Sequence, residues 1–194
     1  MDNRIKKCEA DEKQSLKYFA EDNLLGAQWP HGIVPYYLNT NDYDVLVAQR
    51  VRMAMNNLED SSCLKFKAIN GPSHFAPWLH ISNPSKIRDC VHLRENKTDL
   101  EIPVVLGYEC LHKREILHTL MHAIGFKDEV THPQRDQYVR IQWENINPKY
   151  HQLFRVRYQD FAPVYIEYDP TSIMHFHDRA FSKNGQATIA PLVC

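Results

Sequence analysis

The run His118-Thr119-Leu120-Met121-His122-Ala123-Ile124-Gly125-Phe126-Lys127-Asp128-Glu129 is the part of the 194-residue chain on which the reading of every other segment depends. Ile116, Leu117, Leu120, Met121 and Ile124 recur at helical spacing, which predicts a helix over Lys113 to Ile124. On a helix His118 and His122 are one turn apart on the same face, so both imidazoles can reach one metal ion, the geometry of a zinc site. Gly125 falls where helices commonly end in a left-handed residue, and such a stop turns the chain so that Asp128 can come back beneath the two histidines. Asp128 is therefore the candidate third ligand. A carboxylate oxygen is an acceptable zinc donor, and an acid just past a helix end can equally be a solvated surface group.

Composition sets wide bounds. A hydrophobic content of 43% with 24% charged residues is ordinary for a globular protein, and the length suffices for one large domain or two packed lobes. A formal net charge of -1 gives no electrostatic reason to expect a nucleic-acid or membrane partner. No apolar run approaches the ~20 residues that a membrane helix needs. The opening MDNRIKKCEADEKQSLKYFA is too charged for a secretory signal, and residues 1–19 read as a leader or the remnant of a pro-segment. Against a cytosolic reading stand five cysteines, at 8, 63, 90, 110 and 194, and the sequon Asn96-Lys97-Thr98, which suit an oxidising compartment.

Gln28-Trp29-Pro30-His31-Gly32 leads into a β-branched and aromatic run, Ile33 to Tyr37, that predicts a strand. Asn41 or Asp42 is positioned to cap a helix to about Leu58, with Val45, Leu46, Ala48, Val51, Ala54, Met55 and Leu58 forming its apolar face. Strands are predicted at 63–69, 76–81 and 102–106, giving a small sheet with a helix behind it. Pro148 suits the start of a short helix to Phe154, and 163–170 is irregular and aromatic.

Several of these segments resemble the astacin branch of the metzincin zinc endopeptidases, in the family's order from Ala20 to Leu192. The run at 118–128 is similar to H-E-x-x-H-x-x-G-x-x-H, and Trp29 to Tyr36 to W-P-x-G-x-V-P-Y. Arg135-Asp136-Gln137-Tyr138-Val139-Arg140-Ile141 with Glu144-Asn145-Ile146 is similar to R-D-x-Y-V-x-I followed by E-N-I. Ser172-Ile173-Met174-His175-Phe176 resembles the Met-turn S-I-M-H-Y. The resemblance implies an α+β, two-lobed metzincin-like fold. Its upper lobe would hold a mixed β-sheet with helices, its lower lobe would be irregular and contain the Met-turn, and one zinc ion would sit in the cleft. It implies an astacin-like domain over 20–194, short at its C-terminus, acting on peptides or proteins as a monomer. It also implies secretion, although no signal peptide is visible.

Residue by residue, the resemblance gives His118, His122 and Asp128 as metal ligands and Met174 as an apolar floor. Glu129 becomes the acid that receives the freed α-amino group of the trimmed chain. Cys90–Cys110 would form the short disulfide before the active helix, and Cys63 would pair with Cys194. The alternative for the cysteines, five reduced thiols, stays open. Two departures bear on chemistry. Thr119 stands where the family has the general-base Glu, and a hydroxyl that stays protonated near neutrality cannot shuttle a proton, a loss of about 10²- to 10⁴-fold in rate. Phe176 stands where a Tyr donates to the developing oxyanion, so that donor is gone too. The expectation is a zinc metalloendopeptidase domain impaired in catalysis, with a non-catalytic peptide-binding pseudopeptidase as the alternative and a truncated gene product as a third reading.

Overall fold

The computed structural model describes residues 29–73, 76–92, 100–158 and 167–192. The chain divides into two compact units, Met1–Gly125 and Phe126–Cys194. The assignments made for residues 1–19, for Cys194 and for the sequon at Asn96 lie outside the described residues.

In the first unit, helix α1 spans Val45–Ser61 and is capped by Asp44, whose carboxylate accepts the Val47 N–H at 2.8 Å. This corrects the expected cap at Asn41 or Asp42. Asp42 is occupied elsewhere, since its carboxylate accepts the Asn83 N–H at 3.0 Å. The buried face consists of Val47, Val51, Ala54 and Met55, whereas Val45 and Leu46, expected on it, are exposed. The second helix, α2, spans Lys113–Ile124 as the apolar spacing predicts.

Among the described residues, five strands form one sheet: β1 (Ile33–Leu38), β2 (Lys65–Ala68), β3 (Trp78–Ile81), β4 (Val91–His92) and β5 (Glu101–Val105), in the order β2-β1-β3-β5-β4. Pairing is parallel for β1 with β2, β1 with β3 and β3 with β5, and antiparallel for β4 with β5, so the sheet is mixed. Strand β4, two residues long, was not foreseen, because two residues carry no periodicity. At one edge, β2 exposes Lys65 and Lys67 and buries Phe66. The core between sheet and helices is built from Val34, Val51, Met55, Leu79, Ile81, Val104, Ile116 and Leu120, all 1% exposed or less.

Two backbone features fix how β5 leads into α2. Gly107 runs against the main chain of residue 88 so closely that a Cβ there would lie 2.0 Å from the Arg88 carbonyl oxygen. Cys110 then bridges to Cys90, with Cα atoms 5.9 Å apart, as the family resemblance implied. Cys63 is also disulfide-bonded.

Among its described residues the second unit has little regular structure, as expected. Short 3-10 turns at Glu129–Thr131, Arg135–Gln137, Trp143–Asn145 and Pro148–Phe154 accompany an antiparallel pair, β6 (Val139–Ile141) with β7 (Ile189–Pro191). Its core comprises Val130, Val139, Ile141, Ile146, Phe154, Tyr168 and Ile189. The Arg-Asp pair of the R-D-x-Y-V run has a structural role here. Arg135 is 3% exposed, and its guanidinium donates to the carbonyls of Val130 (2.7 Å) and Phe154 and contacts the Asp136 carboxylate at 3.0 Å. An always-charged fork answered by two carbonyls and a carboxylate holds turns that have no ladder of their own.

Candidate metal centre

The site starts from α2. Its apolar side, Ile116, Leu120, Ala123 and Ile124, is buried in the first core, which leaves the adjacent side of the helix to His118, Thr119 and His122. The Nε2 atoms of His118 and His122 are 3.0 Å apart, with the rings edge to face at 4.5 Å. Gly125 closes the helix in the left-handed region at φ 118°, and its N–H returns to the His122 carbonyl at 2.9 Å. An alanine at that φ would be strained. The Ile124 carbonyl, another group left over at a helix end, accepts the indole N–H of buried Trp29 at 3.0 Å. The W-P motif therefore supports the helix end that carries His122.

Three residues past Gly125, Asp128 offers a carboxylate oxygen, and the ligand atoms of His118, His122 and Asp128 all lie within 4.8 Å of one another. All three residues are half-buried. Among the described residues this is the group of His, Cys, Asp or Glu side chains placed to hold a metal ion. The donor set fits zinc: two imidazoles with one carboxylate is a catalytic zinc set, and donors on a tetrahedral ion are roughly 3.3 Å apart. His132 and His177 are engaged elsewhere, their Nδ1 atoms accepting the N–H groups of Gln134 and Arg179.

Thr119 is 2% exposed and its hydroxyl donates to the Glu115 carbonyl one turn earlier at 2.8 Å. The hydroxyl is thus spent inside the helix. Met174 is 2% exposed in a turn where His175 N–H donates to the Ser172 carbonyl, and its own carbonyl accepts the Glu129 N–H at 2.9 Å. The Glu129 carboxylate accepts the Asp169 N–H, also at 2.9 Å. Phe176 packs in an aromatic cluster, 5.4 Å from Phe154 and 5.2 Å from Phe181 between ring centroids.

Two features escaped the sequence reading. Tyr168 hydrogen-bonds to Nε2 of His175, whose Nδ1 lies 2.6 Å from the Phe176 carbonyl. Burial, and then the neighbouring Glu129 charge, push the Tyr168 hydroxyl up to about 12. The other is Glu115, visible in retrospect as an acid three residues before His118.

The family model for the astacin peptidases matches residues 22–193. The chain belongs to the astacin family. Among its relatives, Seminal metalloprotease 1 of Drosophila melanogaster is 37% identical over 173 residues, covering 84% of this chain and 67% of that protein. The Low choriolytic enzyme of Oryzias latipes is 31% identical, covering 93% of this chain and 64% of that one. The solved structure of High choriolytic enzyme 1, a hatching enzyme zinc-protease from Oryzias latipes, has a TM-score of 0.72 at 27% identity over 84% of this chain and 77% of that chain. The first relatives are matched over 67%, 32%, 56% and 32% of their own length, so this astacin domain spans part of most of them. Its α+β architecture is that of the hatching-enzyme structure. Zinc is the metal that the family implies.

Proposed function

We propose that this astacin-like domain binds one zinc ion through His118, His122 and Asp128, holds peptide or protein substrates there, and hydrolyses them weakly. The observation that carries the reading of weak hydrolysis is Thr119, buried and with its hydroxyl committed to the Glu115 carbonyl. Zinc, when bound, supplies a Lewis acid for a carbonyl and lowers the pKa of a water to about 7. The residues of this chain orient the ligand set. Gly125 turns the chain toward Asp128, Trp29 secures the helix end, and Met174 is the apolar floor on this reading. At position 119 no group can take up a proton and pass it on, which costs about 10²- to 10⁴-fold in rate. Phe176, packed against Phe154 and Phe181, offers no hydroxyl to an oxyanion. These two positions together also favour a second reading, a domain that binds peptides without cutting them.

We assign the domain to residues 20–194, with 1–19 as a leader or pro-segment remnant, and propose that it acts as a secreted monomer. The test is bound zinc per chain by elemental analysis, beside cleavage of a quenched fluorescent peptide set. Near one zinc per chain, lost in His118→Ala, with cleavage at least about 100-fold below a relative that has Glu at this position, is the expected result. Near zero zinc in folded protein overturns the metal assignment, and chelator-sensitive cleavage at the relative's rate overturns the impairment.

A further inference from the structure

Asp128 stands at the N-terminal cap of the Glu129–Thr131 turn, yet its side chain makes no capping hydrogen bond. An aspartate at such a position ordinarily lays its carboxylate on an N–H of the turn it precedes. Here the turn is held through the main chain instead. The Asp128 carbonyl accepts the Thr131 N–H at 3.0 Å and the Thr131 hydroxyl at 2.7 Å. Thr131 is buried, which shields both bonds from water.

The other end of the same peptide unit is held too. Glu129 donates its N–H to the Met174 carbonyl at 2.9 Å, and its carboxylate accepts the Asp169 N–H, also at 2.9 Å. One residue thus grips the segment 169–174 at both ends. That segment is itself closed into turns. The Ser172 N–H donates to the Asp169 carbonyl, the His175 N–H donates to the Ser172 carbonyl, and Tyr168 hydrogen-bonds to His175 across them. A peptide unit is planar, so fixing its carbonyl through Thr131 and its N–H through Met174 fixes the whole unit. The backbone of Asp128, at φ -61° and ψ 127°, is held with it, and so is the direction in which its side chain leaves the chain.

We propose that Glu129 and Thr131 are positioning residues for the third ligand: by locking the peptide unit between Asp128 and Glu129 they present the Asp128 carboxylate to the ion that His118 and His122 share. The proposal rests on the reading of those three residues as a zinc site. It also changes what Glu129 is for. The family resemblance makes Glu129 the receiver of an α-amino group, a task that uses its negative charge. A bond from the Asp169 N–H needs only an acceptor oxygen, which a glutamine also has. Residues that orient a ligand in this way set metal affinity without touching the metal, by about 10- to 100-fold.

The test is the zinc affinity of the full chain and its variants, by competition with a chromophoric chelator. The visible spectrum of the cobalt(II)-loaded protein reports ligand geometry, and circular dichroism shows that each variant is folded. Glu129→Ala should bind zinc about 10-fold or more weakly and alter the cobalt spectrum, while Glu129→Gln stays within about 3-fold of the unaltered protein. Thr131→Val, which removes the hydroxyl and nearly keeps the shape, should weaken binding in the same direction, and Thr131→Ser should restore it. If Glu129→Ala does not fold, the Thr131 pair and Glu129→Gln decide. Unchanged affinity and spectrum in folded Glu129→Ala or Thr131→Val overturn the proposal, because a role in stability alone lowers Tm and leaves the folded site intact. Glu129→Gln binding about 10-fold or more weakly overturns it as well, since charge and not the bond would then matter. Asp128→Ala separates these results from failure of the underlying reading. If Asp128→Ala binds zinc as tightly as the unaltered protein, or if the unaltered protein binds none, the zinc site falls and the proposal falls with it.

Discussion

Replacing Thr119 by glutamate tests the description of α2 more severely than any deletion. Position 119 is 2% exposed, and its hydroxyl bond to Glu115 would be lost. That bond contributes about 0.5–1.5 kcal/mol, and forcing a longer side chain into a packed position costs about 1–3 kcal/mol. The new carboxylate also stands one turn from Glu115, whose Oε2 is already buried without a partner. Like charges at that spacing cost a few tenths of a kcal/mol when solvated and more when buried. The sum is about 2–5 kcal/mol. For a chain of this length each kcal/mol lowers Tm by roughly 2–4 °C, so Thr119→Glu should melt roughly 4–20 °C lower. Adding Glu115→Gln removes the repulsion and leaves the crowding, so the double variant should recover part of the loss. Thermal unfolding followed by circular dichroism, beside hydrolysis of a quenched peptide, reads both consequences. If Thr119→Glu melts with the unaltered protein and cleaves peptides at the rate of a Glu-bearing relative, then Thr119 is not held as described and the chain merely lacks one base.

Three further outcomes follow from the geometry. Gly107→Ala should cost about 3 kcal/mol or more, because the backbone of residue 88 blocks the new methyl, and a denaturant midpoint equal to the parent's would refute this. Replacing Cys90 and Cys110 together by alanine should lower stability by about 3 kcal/mol through loop-closure entropy, and an unchanged urea midpoint would assign the bridge no such role. Stability should also fall as the solution is made alkaline. Tyr168 titrates at about 12 in the folded chain against an ordinary value of 10.0, so its contribution is complete below pH 10 and disappears as pH rises toward 12. Tyr168→Phe should flatten that part of the profile, and an unchanged alkaline limb would show that the hydroxyl is not held protonated by folding.

What could be read in advance divides along physical lines. Helix α2 was legible to its ends, because an apolar stripe and a glycine stop are both local signals. The position of Asp128 was legible through that same stop. The start of α1 was misplaced by two or three residues, since Asn41, Asp42 and Asp44 are all competent caps, and the choice depended on Asn83, which recruits Asp42 from a distant part of the chain. Strand β4 has meaning only beside β5 and could not be seen alone. Glu115 was overlooked for a different reason. An acid in the first turn of a helix is favourable there in any protein, so that its Oε2 is buried and unsatisfied is a tertiary fact with no local trace.

The sheet's edges have a consequence for the behaviour of the molecule in a crowded solution. An open sheet exposes unpaired N–H and C=O groups at its edges, and a long flat edge would invite strands from other molecules to add on. Here the edge strand β2 is four residues long and exposes two lysines. Charge blunts this edge, so the fold has resistance to strand addition built into β2.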